Sequence, residues 1–142
     1  MRRLTFLAAL LASACGGRAP APAPIEVRAP WARPADSAAV TAAYLTLFNH
    51  EALAVTLSSA SSPLAESVTL HEPMQMSGMV HMMPLDSGQV IAPGDSLVLA
   101  EGAKHLMVMG LKRTLTGGDS LPLELRFSDG RVLHATAAVR AP

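Results

Sequence analysis

From Ile25 to Val139 apolar side chains return at nearly every second position, and short Pro, Gly and Asp segments interrupt them at close intervals. Side chains alternate across a strand with a period of two but recur along a helix with a period of 3.6, so this pattern dictates strands. Val40 to Phe48 is rich in β-formers and follows the turn-like Arg33-Pro34-Ala35-Asp36. Leu53, Val55 and Leu57 alternate with small or polar residues, and Asn49-His50-Glu51 separates them from the run before. Val68 and Leu70 alternate with Ser67, Thr69 and His71, and Leu97 and Leu99 follow the turn Pro93-Gly94-Asp95. Leu106 and Val108 alternate with His105, Met107 and Met109. Leu121, Leu123, Leu125 and Phe127 form the clearest one-faced strand, and Asp129-Gly130 turns it into Arg131 to Val139 as a β-hairpin. Seven to nine such strands with no helical stripe longer than two turns predict a single all-β domain, an antiparallel β-sandwich or Greek-key barrel. Trp31, Tyr44, Phe48 and Phe127 are the few aromatics for its core, which must rely on Leu, Val and Ala.

The residues before Ile25 read as addressing rather than fold. Arg2 and Arg3 precede an apolar run from Leu4 to Leu11, too short for a bilayer core of about 30 Å. The stretch Leu11-Ala12-Ser13-Ala14-Cys15-Gly16 then places small residues before the chain's one cysteine. It resembles a bacterial lipoprotein signal, in which the cysteine is acylated and becomes the new N-terminus, although Ala12 stands where such signals most often carry leucine. The resemblance implies a signal peptide over 1–14, lipid attachment at Cys15, and export to the periplasm on a membrane anchor, with Gly16 favouring the outer membrane. Arg18-Ala-Pro-Ala-Pro-Ala-Pro24 favours extended polyproline II and makes 15–24 a tether, leaving 25–141 as the folded domain. A single cysteine excludes an intrachain disulfide. Without Arg2 and Arg3 the chain holds nine basic and eleven acidic residues, a net charge of −2 with no basic patch, which argues against nucleic acid.

Methionine is distributed very unevenly. Apart from Met1, all seven methionines lie between Met74 and Met109, and five fall in His71-Glu-Pro-Met74-Gln-Met76-Ser-Gly-Met79-Val-His81-Met82-Met83. A second cluster, His105-Leu106-Met107-Val108-Met109, follows. Thioether sulfur is a soft, uncharged donor that, with imidazole, suits copper(I) far better than zinc, magnesium or calcium. Neutral donors leave only the ion's single charge in a partly buried site, and thioether forms no disulfide in an oxidising compartment. His105 and Met107, two apart on a strand, project from one face. His71 at a strand end and a methionine returning from a Pro73 to Gly78 loop supply a second pair.

The spacing His71, ten residues, Met82, twenty-two residues, His105-x-Met107 is similar to the H-x10-M-x21-H-x-M motif of the periplasmic copper chaperone family PCuAC, with one extra residue in the middle gap. Trp31-Ala32-Arg33, Ala42-Ala43-Tyr44-Leu45, His105 to Leu111 and Leu121 to Phe127 also resemble that family's opening and closing strands. The resemblance implies a cupredoxin-like sandwich that holds copper(I) through His71, Met82, His105 and Met107. It further implies a monomer that passes the ion to an acceptor, such as a respiratory oxidase subunit or another copper chaperone.

Blander readings stand beside these. A strand methionine is often core filler, and for Met109 core packing and a place at the site are both open. Met74, Met76 and Met79 either line an apolar loop or form a second layer or docking surface for the acceptor. His81 reads as exposed, with transient metal contact as its alternative, His50 and His134 as structural, and Glu72 as either a solvated charge or a partner orienting the His71 imidazole. Met83 competes with Met82 for the ligand role, although neighbours on a strand face opposite ways. Catalysis is disfavoured, since a redox copper site needs a Cys thiolate and neither a Gly-x-Ser-x-Gly elbow nor a metalloprotease His pair occurs. A copper or silver buffer without an acceptor uses the same ligands as a chaperone. Copper(I) affinity is expected to fall as pH drops through about 6.5, where protons compete for imidazole; affinity that stays flat down to about pH 5 would argue against histidine ligation.

Overall fold

The computed structural model describes Ala21 and residues 23–142, so the signal segment, Cys15 and most of the tether lie outside the described residues. The described residues form ten strands and no helix. They are β1 (Ile25–Ala32), β2 (Thr41–Asn49), β3 (Val55–Ser61), β4 (Ala65–Met76), β5 (Met79–Pro84), β6 (Gln89–Ile91), β7 (Ser96–Leu99), β8 (His105–Leu111), β9 (Ser120–Phe127) and β10 (Val132–Val139). Seven of them close into a barrel in the order β4-β8-β2-β1-β10-β9-β3, with Ala60 paired to Val68 where β3 meets β4. β5, β6 and β7 extend the wall from β4, β3 and β2. Closure removes the long unpaired edges that an open sheet of this size exposes.

All pairings are antiparallel except β1 with β10, where Trp31 faces Ala138 and Ala32 faces Val139. The first and last strands run the same way there, so the ring closes with one parallel seam in an otherwise antiparallel Greek-key barrel. The expected hairpin at Asp129-Gly130 joins β9 to β10, with the Asp129 carboxylate accepting from Arg131 N–H at 3.0 Å.

Every second residue points inward, as the alternation requires. Ala43, Leu45 and Leu47 of β2, Leu106 and Val108 of β8, and Leu121, Leu123, Leu125 and Phe127 of β9 meet in one core. Phe127 is the aromatic that joins it; Phe48 instead lies against His50, with the Arg28 guanidinium 5.0 Å from its ring centre. Asn49 is fully buried at the end of β2 rather than in a turn. Its amide donates to the Leu53 and Ile91 carbonyls at 2.8 and 3.1 Å, and its Oδ1 accepts from Glu51 N–H at 2.9 Å.

Two departures from simple alternation shape the wall around the histidines. Counting by twos from Ile25 and Val27 points Trp31 inward. A bulge at Ala29, which has φ 47°, inserts an extra residue between Arg28 and Trp31, so Trp31 faces outward beside Tyr44 and Ala32 takes the inward place. The Pro73 to Gly78 segment is no loop. β4 continues to Met76, Ser77 and Gly78 turn with φ of 53° and 79°, and β5 returns from Met79. Two residues at positive φ are the signature of a tight turn that matches strand twist.

Leu106 lies on the inner face directly behind the two histidines. Leu106→Ala should lower unfolding free energy by about 2–5 kcal/mol, and Asn49→Ala by about 1–3 kcal/mol through its orphaned carbonyl partners. Urea unfolding checks both, and an unchanged midpoint for either would refute its assigned role.

Candidate metal centre

Strand register brings the spaced residues together. His71 of β4 pairs with His105 of β8, and two residues along Thr69 pairs with Met107. On its other side His71 pairs with Pro84 of β5, and two residues along Pro73 pairs with Met82. Directly paired residues of antiparallel strands share a face, so His71, His105, Met107 and Met82 all stand on the outer surface of the wall. Val68, Val108 and Leu106 point the other way into the core. His71 is the hub: His105 lies directly across from it, while Met107 and Met82 sit on diagonals to either side, within reach of long side chains.

The two imidazole centres are 6.1 Å apart. Two rings that share an ion about 2 Å from a nitrogen of each have centres at most about 6.4 Å apart, so the pair fits one metal ion. Both rings are deeply set, each 8 % exposed, although they lie on the outer face. Tyr44 flanks His105 with ring centres 6.4 Å apart, Trp31 lies 4.6 Å from Tyr44, and the Arg140 guanidinium caps Trp31 at 4.2 Å. This aromatic row shields the histidines from one side. Trp31 is thus not in the core, contrary to expectation, whereas Tyr44 is buried as expected, at 5 % exposed, but on the outer face, out of phase with Leu45 and Leu47.

The His105 ring has a fixed tautomer. Its Nδ1 lies 3.0 Å from the Ala103 carbonyl, which can only accept, so Nδ1 carries the proton and Nε2 keeps a free lone pair. His71 Nδ1 has a longer contact of 3.5 Å with Thr69 Oγ1. Burial, and then the positive charge that His105 can carry, push the His71 pKa below the ordinary imidazole value, against a smaller opposing pull from Asp86. The neutral, metal-competent form of His71 is therefore favoured.

Met107 and His105 line a cleft of about 290 Å³ with Arg33, Pro34, Val40, Thr41, Ala42 and Tyr44. The small side chain of Ala42, paired with Met107, leaves that space. Met82 is 43 % exposed on the projecting hairpin. The donors thus run from buried imidazole to open thioether. Among the described residues no three His, Cys, Asp or Glu side chains cluster closely enough to hold a metal, so a site here must draw on methionine.

The neighbouring candidates separate cleanly. Met83 pairs with Glu72 and His81 with Met74, all on the opposite face of the hairpin. Glu72 does not orient His71; its carboxylate meets Lys104 Nζ at 3.5 Å. Met109 pairs with Ser67 on the outer face, which removes it from the core. His50 Nε2 pairs with the Glu26 carboxylate at 2.8 Å, and His134 is exposed on β10 opposite Glu124.

Comparison with known proteins gives a consistent picture. The LpqE-like lipoprotein family profile matches residues 25–139. Protein Lxx21020 of Leifsonia xyli subsp. xyli, which carries a lipoprotein name, is 36% identical over 118 residues, covering 83% of this chain and 68% of its own. The apo form of DR1885 from Deinococcus radiodurans is 30% identical with a TM-score of 0.61, over 100% of this chain and 95% of that one. Its copper(I) form superposes with a TM-score of 0.54 over 80% and 78%. The copper-bound PCuAC domain of PmoF2, 20% identical, shares the fold with a TM-score of 0.68 over 86% of this chain and 97% of its own. An all-β barrel with this strand order, matched along nearly its whole length, places the chain in the LpqE-like family with the cupredoxin-like fold of PCuAC domains.

Proposed function

We propose that this protein is a copper(I) carrier whose ion is held by His71, Met82, His105 and Met107 and handed to a copper acceptor, such as a respiratory oxidase subunit or another copper chaperone. One observation carries the reading: the register of β5 on β4 and of β4 on β8 sets four soft, neutral donors, widely separated in sequence, on one patch of one face. Supporting it are the copper(I) form of the 30% identical DR1885 and the copper-bound PmoF2 domain of the same fold. The chemistry is that of binding rather than turnover. Imidazole and thioether satisfy copper(I) without adding charge, and the low charge suits the shielded site.

The donor gradient suits a carrier. Nε2 of His105 is presented by a fixed ring, the His71 ring beside it is kept neutral, and exposed Met82 offers the side from which an acceptor's own thioether or imidazole can enter. Ligand-by-ligand exchange then moves the ion without releasing it to solvent. Acylation of Cys15 would tether the domain to the periplasmic side of a membrane, the outer membrane by the Gly16 rule, with 15–24 as the spacer. The lipoprotein name of the Leifsonia relative supports export and a lipid anchor.

Titrating the protein with copper(I) against a coloured chelator under reducing conditions should find tight uptake at this site, with zinc and copper(II) much weaker. Met82→Leu combined with Met107→Leu should weaken that site at least about 100-fold and leave the unfolding midpoint near that of the parent. Loss of folding would instead assign these methionines to packing. Transfer to an apo-acceptor faster than dissociation into a chelator identifies a chaperone, and transfer at the dissociation rate identifies a buffer.

The lowered His71 pKa refines the pH expectation. Proton competition at this ligand sets in below the free-imidazole value of about 6.5, so its contribution to copper(I) affinity holds as pH falls to that value and is lost only further down. The apo fold follows the same sign. With a depressed folded pKa, the stability linked to neutral His71 is complete above the unfolded value and is lost as pH falls through the folded one. An NMR titration of the apo protein should give a His71 midpoint below 6.5, and a midpoint above it overturns this assignment.

A further inference from the structure

The β4–β5 hairpin carries a second set of soft donors that the site above does not use. Its register is unbroken over six residue pairs, from His71 with Pro84 to Met76 with Met79. Alternation therefore sorts its side chains onto two faces. One face holds His71, Pro73, Gln75, Val80, Met82 and Pro84. The other holds Glu72, Met74, Met76, Met79, His81 and Met83. On this back face His81 is the central residue: Met74 lies directly across from it, Met79 and Met83 are its same-face neighbours along β5, and Met76 sits on the diagonal. Directly opposed residues have Cβ atoms about 4.5–5.5 Å apart and diagonal pairs remain within reach of long side chains. One imidazole is thus ringed by four thioethers.

We infer that this back face is a second soft-metal site, in which His81 with Met74, Met83 and a third thioether from Met76 or Met79 takes a monovalent ion of the copper(I) or silver(I) class. The chemistry follows from the donors. All are neutral and all but the imidazole are soft, so hard or divalent ions find no charge and few suitable donors, while copper(I) accepts three or four such ligands in flexible geometry. All five residues are exposed, so nothing inside the fold accounts for their apolar surface. A patch that served only as an adaptable contact surface needs methionine but needs no imidazole at its centre. At the barrel end of this face the Glu72 carboxylate pairs with Lys104, which leaves the methionines and His81 toward the tip as its metal donors. The two sites lie on opposite faces of one two-stranded ribbon, so His71 and His81 belong to different ions. The inference stands on its own donors and does not depend on the His71 site.

Copper(I) competition titrations of the full chain test it. The parent should take up two equivalents. The triple variant Met74→Leu, His81→Ala, Met83→Leu should lose one and keep the ion at His71, whereas His71→Ala with Met107→Leu should lose the other and keep the ion on the hairpin. An unchanged stoichiometry in the triple variant overturns the second site. If the parent binds one ion only, its loss in the triple variant upholds this site and removes the His71 reading, and its loss in the other variant does the reverse. A measurement free of substitutions is silver(I) titration with methionine methyl groups labelled with carbon-13. The Met74 and Met83 methyl signals should shift as the hairpin ion binds, and signals that stay in place through both equivalents overturn the proposal.

Discussion

Burial of Leu106 and Val108 behind β8, against Val68 of β4, fixes how β4 lies on β8, and the outer face is a consequence of that packing. Side chains alternate with a period of two, so a slip of one residue would drive His105 and Met107 into the core and push leucine and valine into water. Each large apolar side chain moved the wrong way forfeits about 1.5–3 kcal/mol of burial, and several would move at once. The histidine pair is therefore positioned by residues on the opposite face of the same strands. The same holds at β2, where inward Ala43 and Leu45 force Ala42 and Tyr44 outward, one leaving room beside Met107 and the other shielding His105.

The proposed site also answers a conflict between shielding a charge and letting it go. Buried charge is expensive unless paired, and in that proposal four neutral ligands reduce the problem to one monovalent ion. Shielding is graded instead of complete: the imidazoles are nearly buried, Met107 lines an open cleft, and Met82 stands on a hairpin that projects past the barrel. The Ala103 carbonyl holds the His105 proton on Nδ1, so Nε2 is ready before any ion arrives. Preorganisation lies in the histidines and adaptability in the methionines, whose unbranched side chains accept several geometries at low cost.

Much of this was legible in the sequence, for identifiable reasons. Leu121, Leu123, Leu125 and Phe127 declared their strand because one face is entirely apolar, and the His and Met spacing singled out four residues that the strand register brings to one face. Trp31 was misplaced because a bulge at Ala29 shifts the count by one, and a bulge leaves little trace in a hydrophobic pattern. The β5 strand was hidden because Met79 to Pro84 is exposed on both faces and has no alternation to detect. Ser77-Gly78 was the available clue, a turn pair between two short runs. The parallel contact of β1 with β10 depends on how the ring closes, which local sequence does not encode.

The hairpin is where the economy of the fold is most strained. Of the ten large hydrophobic side chains exposed among the described residues, six lie between Met74 and Met83. β5 also forms an outer edge of the sheet, where exposed apolar strands invite pairing with other chains. Pro84, paired to His71 near the end of β5, removes a backbone donor from that edge and limits such pairing. A hairpin held only by packing would turn polar residues outward on its free faces. Thioether resolves the contradiction, since a methionine in water gives up burial but keeps a donor that leucine lacks. In the proposed reading the exposed methionines and the histidines set among them form a ribbon of soft ligands, carried clear of a barrel whose own core consists mainly of leucine, valine and alanine.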